Sequence, residues 1–266
     1  MLNAAEIGQA AADLLGAEAA RRQIGLLSLR HPGITLDDAY AIQLAQIERK
    51  LAAGRRIVGW KIGLTSKAMQ EALGIDTPDS GVLYDDMVFE TGGTVPAGRF
   101  IQPRIEAEIA FVMKAPLAGE VTRGEVLAAT DYVAPSIEIL DTRILRADPE
   151  SGRPRRIFDT VADNAANAGI VLGAECHAPE AVDLRWAGAI VKKDGAVVAT
   201  GLGAAVLDDP VTGLVWLARR MGHYGQRIEA GQVVLSGSFI GPVECPPGTE
   251  IRADFGPFGS VAIDFD

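Results

Sequence analysis

Along the first 55 residues, apolar side chains recur with the spacing of a helix face. Leu36, Tyr40, Leu44, Ile47 and Leu51 follow a 3.6-residue period, and residues 2–22 are rich in Ala and Leu. Thr35 with Asp38 three residues on resembles a capping box, and Gly54 supplies a stop. From Ile57 the period changes to two. Val58, Trp60, Ile62 and Leu64 make one face of a strand, and Gly59, Lys61 and Gly63 the other. Thr65 then N-caps a short helix running through Lys67 and Met69. Thr77 to Gly81 reads as a turn, Val82 to Tyr84 as a strand and Asp85-Asp86 as solvated loop.

The strongest period-two signal is Arg104 to Phe111. Ile105, Ala107, Ile109 and Phe111 alternate with Glu106, Glu108 and Ala110. Thr122 and Glu125 cap a helix ending near Ala129, and Tyr132 to Leu140 is a largely apolar strand interrupted by Glu138. Residues 143–157 form a basic loop with Arg153, Arg155 and Arg156. Asp159 to Gly169 is small and polar, a segment expected to pack weakly and offer polar groups to a ligand. Lys193-Asp194-Gly195 turns a hairpin, Pro210 opens a helix closed by Gly222, and Val233–Phe239 and Ile251–Phe265 return to strand and turn. The pattern predicts an α+β chain, with a helical N-terminal lobe over 1–56 and a β-rich mixed domain over 57–266.

The polar positions carry the candidate chemistry. Glu106 and Glu108 stand about 7 Å apart on one strand face. They form either a solvated face with Arg104 as counter-charge or two ligands of a divalent cation. Glu138 shifts that balance, because an acid among Ile137, Ile139 and Leu140 is costly to bury unpaired. Three carboxylates on neighbouring strands form an oxygen-only site suited to Mg²⁺ or Mn²⁺. Lys61 is either open to a ligand between its two glycines or the exposed face of an edge strand, and Asp79 is either functional or a turn former. Lys67 reads as solvated. The three histidines suggest no triad for Ser236-Gly237-Ser238, so the glycine reads as room for backbone amides to approach a carboxylate.

Composition narrows the partners. The 266 residues are 48% hydrophobic with a formal net charge of -10, which disfavours nucleic acid and anionic membranes. No apolar run reaches the roughly 18 residues that span a bilayer, and no secretory signal is visible. Cys176 and Cys245 are too few for a disulfide framework, so reduced thiols in the cytoplasm are expected.

Four ordered motifs then resemble a known family. They are Gly59-Trp60-Lys61-Ile62-Gly63-Leu64-Thr65-Ser66, Pro103-Arg104-Ile105-Glu106-Ala107-Glu108, Asp163-Asn164-Ala165-Ala166 and Leu235-Ser236-Gly237-Ser238. Together they resemble the 2-oxopent-4-enoate hydratase and 4-oxalocrotonate decarboxylase group of the fumarylacetoacetate hydrolase superfamily, over nearly the whole chain. The segments Asp148–Arg156, Phe158–Thr160 and Asn164–Gly169 resemble the branch that hydrates seven-carbon 2-oxo-alkenoic diacids in aromatic-compound catabolism. The resemblance implies a curled mixed sheet with flanking helices. It implies metal ligation by Glu106, Glu108 and Glu138, with Mg²⁺ expected and Mn²⁺ as an alternative. Lys61 and Asp79 match positions of acid/base work. Ser236, Gly237, Ser238 and Asn164 match the substrate segment, and Arg155 and Arg156 are candidates for the distal carboxylate. It further implies a small-molecule 2-oxo diacid as substrate and a homo-oligomer, a ring or double ring. The alternatives are a 2-hydroxypenta-2,4-dienoate hydratase and a 4-oxalocrotonate-type decarboxylase.

Overall fold

The computed structural model describes residues 1–67, 70, 71, 75 and 77–266. Its centre is the strand with the strongest alternation, β5 (Arg104–Met113). Ile105, Ala107, Ile109 and Phe111 face the main apolar core as expected, but the opposite face is closed as well: Glu108 is 0% exposed and Ala110 is buried. The solvated-face reading therefore fails, because the sheet curls and β5 has packed chain on both sides.

Among the described residues the strands form two sheets. In the larger one the order runs β2 (Asp79–Tyr84), β1 (Ile57–Gly63), β10 (Val233–Ser238), β5, β6 (Thr130–Leu140), β7 (Asn167–Leu172) and β3 (Val88–Glu90), with β11 (Val243–Glu244) on the first residues of β5. The smaller has the order β4 (Gly93–Val95), β13 (Ser260–Phe265), β12 (Thr249–Asp254), β8 (Gly188–Lys193) and β9 (Ala196–Leu202). β8 and β9 are joined at Asp194-Gly195, both at positive φ, the two-residue turn that the sequence predicts. Two expectations need correction. β1 lies between β2 and β10, so Lys61 is not on an edge strand. β2 begins at Asp79, so residues 79–81 belong to a strand rather than a turn, held by six paired positions against β1.

The helices keep their sequence logic. α1 (Ala4–Ala20) and α3 (Leu36–Ala52) have side-chain caps, the second through the Thr35–Asp38 box, with the short α2 (Leu27–Arg30) between them. α4 (Arg123–Ala129) starts at the Thr122–Glu125 box. α6 (Pro210–His223) has Pro at its start but runs through Gly222. That glycine is there for close approach, since a Cβ would lie 2.5 Å from the Gly119 nitrogen. The helix expected after Thr65 falls in part on residues outside those described.

The N-terminal helices bury their apolar faces in a second core with α5 (Ile157–Ala162), where Leu14, Leu27 and Ile42 meet Ile144 and Val161. Residues 159–169 are thus tightly packed, against the expectation of weak packing. Asp159 and Asp163 are fully buried. Asp159 accepts from the Ser28 nitrogen and hydroxyl, at 2.8 and 2.7 Å. Asp163 pairs with Arg143, whose Nη2 also donates to the Asp163 carbonyl at 2.6 Å and whose backbone N–H donates to its carboxylate at 2.7 Å. Asn164, Ala165 and Ala166 all have positive φ, a path that the buried pair below them and the bonds from Asn164 to β2 hold in place.

Removing one member of the Arg143–Asp163 pair leaves the other charge buried. Arg143→Met is expected to cost about 3–5 kcal/mol. The Arg143→Met/Asp163→Leu double variant should lose less than the sum of the singles, read by urea denaturation.

Candidate metal and 2-oxo acid site

Period two puts Glu106 and Glu108 on the same side of β5, and antiparallel register sets Glu138 of β6 directly opposite Glu106. One carboxylate oxygen from each of the three lies within 4.8 Å of the others. Glu138 Oε1, Glu138 Oε2 and Glu108 Oε1 are buried with no hydrogen-bond partner. Buried carboxylate oxygens without a hydrogen bond are satisfied by a nearby cation or by taking up a proton.

Two further strands complete the site. Lys61 of β1 is only 3% exposed, and its Nζ lies 3.5 Å from Glu138 Oε1. Asp79 of β2 is 2% exposed with Oδ1 unpartnered. A Cβ on Gly63 would overlap both Lys61 Nζ and Asp79 Oδ1, so those two groups converge over that glycine. On β10 the Gly237 N–H donates to Glu108 Oε2 at 2.8 Å, and Ser236 Oγ is buried without a partner. Gly237 has φ 118°, and a Cβ there would collide with Thr65. The carboxylate approached by that glycine is the protein's own.

Electrostatics shows the strain of this arrangement. Burial, and then the neighbouring Glu106, pushes Glu108 up to about 8. Burial raises Glu106, and raises Glu138 well above the carboxylate range. Asp79 is raised by burial too, against the pull of Lys61, Arg220 and Arg155. For Lys61, burial works against the ammonium form, but Glu138, Asp79, Glu106 and Glu108 outweigh it and raise its pKa. Four carboxylates face one ammonium. A divalent ion fits this donor set, and its charge would balance what Lys61 leaves uncompensated.

The remaining sequence candidates divide. Ser236 and Gly237 border the trio. Ser238 bonds through its hydroxyl to Ile240, donating to the carbonyl at 2.7 Å and accepting from the nitrogen at 3.1 Å. Asn164 directs its amide to β2, accepting from Val82 N at 2.8 Å and donating to Val82 O at 3.0 Å. Arg155 is half-buried and acts electrostatically on Asp79. Arg156 is exposed, its guanidinium 4.8 Å from the Phe158 ring centre. Lys67 pairs with Asp208 at the surface. Pattern reasoning missed Tyr40, whose hydroxyl accepts from Ser80 N at 3.3 Å beside Asp79, and Arg220, stacked over the Tyr40 ring. Both come from helices, and no local signal ties them to a site on the sheet.

No protein-family model matches the chain. It is 47% identical over 250 residues to 2-oxo-hept-4-ene-1,7-dioate hydratase of Escherichia coli, covering 94% of each protein. It is 41% identical over 259 residues to 2-keto-4-pentenoate hydratase of Paraburkholderia xenovorans (strain LB400), covering 97% of this chain and 94% of that one. The chain belongs to the 2-oxo-alkenoate hydratase and decarboxylase family. A solved member of that family, 4-oxalocrotonate decarboxylase from Pseudomonas putida G7 complexed with magnesium and adipate, superposes with a TM-score of 0.94 at 36% identity over 100% of this chain and 99% of that one. A fumarylacetoacetate hydrolase family protein from Yersinia pestis CO92 shares the fold, with a TM-score of 0.57 at 15% identity over 78% and 92% of the two chains. The α+β, curled-sheet expectation is met.

A prediction follows from the raised carboxylates. Glu108 has a folded pKa of about 8 against an ordinary 4.5, so the metal-free folded state holds a proton that the unfolded chain releases. Its contribution to stability is complete below 4.5 and is lost as pH rises through about 8. Metal-free protein should therefore melt at a lower temperature at pH 8 than at pH 5, and Mg²⁺ or Mn²⁺ should reverse most of the drop. Glu108→Gln should raise the metal-free melting temperature at pH 8 and blunt the response to metal, as followed by scanning fluorimetry.

Proposed function

We propose that the chain is a Mg²⁺-dependent hydratase, with Mn²⁺ as an alternative ion, that adds water to the alkene of 2-oxohept-4-ene-1,7-dioate to give 4-hydroxy-2-oxoheptanedioate in aromatic-compound catabolism. The observation that carries it is the trio of half-buried Glu106 with fully buried Glu108 and Glu138 beside Lys61 and Asp79, in a chain 47% identical to a hydratase of that diacid.

Glu106, Glu108 and Glu138 would hold a divalent ion, which would supply Lewis-acid stabilisation of the negative charge on the 2-oxo acid head. The protein's own groups divide the remaining work. Lys61, 3.5 Å from Glu138 Oε1, places an ammonium beside the trio, where it stabilises the enolate oxygen or donates a proton. Asp79 has a raised pKa and an unpartnered oxygen, so it exchanges a proton with the carbon skeleton or the attacking water more readily than an ordinary carboxylate. Ser236 Oγ offers an unengaged hydroxyl to the substrate carboxylate. Glycines at 59, 63 and 237 let backbones and ligand come close where a side chain would intrude. We assign the assembly of copies into an oligomer to the same reading; the exposed Trp186, Ile190, Val197 and Val198 around β8 and β9 are the surface it would cover.

Product analysis tests the reaction. With Mg²⁺ and 2-hydroxyhepta-2,4-dienedioate, a 4-hydroxy-2-oxo diacid is expected; release of CO₂ would instead make the chain a decarboxylase, and an unchanged substrate would sink both. Lys61→Ala is expected to lower kcat by about 10²–10⁴ while retaining metal binding. A kcat close to wild type would remove Lys61 from the mechanism.

A further inference from the structure

β2 is the edge strand of the larger sheet, and Asp79 is its first residue. Pairing with β1 ends there, at the Gly63–Asp79 partners. The end of an edge strand is the least constrained place in a sheet. Asp79 is nevertheless only 2% exposed, and its Oδ1 has no hydrogen-bond partner. The carboxylate is therefore placed by the backbone that carries it rather than by a full set of bonds of its own. Whatever holds that backbone decides where the acid stands.

In an antiparallel pair, alternate residues of an edge strand turn their N–H and C=O away from the neighbouring strand. On β2 these are Ser80 and Val82, and side chains engage both groups of each. The Ser80 N–H donates to the Tyr40 hydroxyl at 3.3 Å, and the Ser80 carbonyl accepts from Gln43 Nε2 at 2.9 Å. The Val82 N–H donates to Asn164 Oδ1 at 2.8 Å. The Val82 carbonyl accepts from Asn164 Nδ2 at 3.0 Å and from Asn167 Nδ2 at 3.2 Å. Tyr40 and Gln43 stand one helical turn apart on α3, which puts them on one face. Asn164 has φ 54°, and a Cβ on Gly81 would lie 2.4 Å from its carbonyl oxygen, so the turn at 164 is pressed directly onto β2. Among the described residues no strand lies beyond β2, and these side chains take the hydrogen bonds that one would make.

The grip is itself braced. Gln43 Nε2 also donates to the Val161 carbonyl of α5 at 2.9 Å, and the Arg220 guanidinium carbon sits 3.4 Å from the Tyr40 ring centre. Both α3 side chains hold the residue directly after Asp79, one peptide unit or about 3.8 Å along the chain. A proton-transferring group tolerates little displacement, because roughly 1 Å of misplacement costs on the order of 10²-fold in rate.

We propose that Tyr40, Gln43 and Asn164 are positioning residues for Asp79, standing in for the strand that β2 lacks. Asn164 commits both ends of its amide to Val82, so it acts on the strand rather than on the substrate. This rests on the reading of Asp79 as the proton-exchanging group of a hydratase.

Steady-state hydration of 2-hydroxyhepta-2,4-dienedioate with Mg²⁺ tests the proposal. Tyr40→Phe removes one hydroxyl and keeps the ring against Arg220. It should lower kcat by about fivefold to fiftyfold while KM and calorimetric Mn²⁺ affinity stay within about twofold of wild type. Asn164→Asp, which puts an oxygen in place of the amide that donates to the Val82 carbonyl, should act in the same direction. The Tyr40→Phe/Asp79→Asn double variant should be no slower than Asp79→Asn alone, because nothing is left to position once the acid is gone. A further loss in the double variant as large as that in Tyr40→Phe would overturn the proposal by giving Tyr40 an effect independent of Asp79. A lower melting temperature with unchanged kcat in Tyr40→Phe and Asn164→Asp would overturn it too, reducing the contacts to stability alone. A wild-type kcat in Asp79→Asn would overturn it while leaving the hydratase reading intact. Absence of hydration by the wild-type protein would overturn the hydratase reading itself, and the positioning of Asp79 with it.

Discussion

Four carboxylates gathered around one ammonium in a closed part of the sheet is an arrangement that folding alone disfavours. Each of Glu106, Glu108, Glu138 and Asp79 is pushed toward its neutral form by burial, and Lys61 is held in its charged form by them. Such a cluster persists because the strands bearing it are fixed by other forces. β5 and β6 are paired along nearly their whole length, and the opposite face of β5 carries Ile105, Ala107, Ile109 and Phe111 into the main core. The apolar face stabilises what the polar face destabilises, and a cation held by the trio would relieve the strain.

Around this centre the fold gives each strand one task. β5 and β6 present the three glutamates, β1 the ammonium, β2 a further buried acid, and β10 an amide and a hydroxyl. Regular elements place these groups more firmly than loops would. The helices work from behind. α3 supports β2 through Gln43, which donates to the Ser80 and Val161 carbonyls at 2.9 Å each, and through the Tyr40 hydroxyl. The Arg143–Asp163 pair anchors the start of the basic loop. Family membership and this geometry point the same way, because a chelating 2-oxo acid asks for a hard cation at one end and protonatable groups beside it.

Much of this was legible along the chain. The alternation in Arg104–Phe111 gave a strand with two carboxylates on one face, and Glu138 among Ile137, Ile139 and Leu140 was out of place unless it had a partner. The capping boxes at Thr35 and Thr122 and the Asp194-Gly195 turn were read correctly because a few adjacent residues decide them. Residues 79–81 were misread as a turn because Pro78, Asp79, Ser80 and Gly81 are all turn formers, and pairing with β1 overrides that preference. Residues 159–169 looked loosely packed because small polar side chains carry no apolar signal, yet Asp163 and Asn164 are satisfied by Arg143 and by β2.

The sequence by itself determined most of the local elements, the carboxylates of the candidate site and the side of β5 from which two of them project, since period and side-chain chemistry are properties of neighbouring residues. Only the tertiary structure decided that Lys61 sits 3.5 Å from Glu138 and that Gly237 donates to Glu108. Those relations join residues 77 and 129 positions apart. They depend on how far the sheet curls and on which strands it sets side by side, and no local pattern encodes either one.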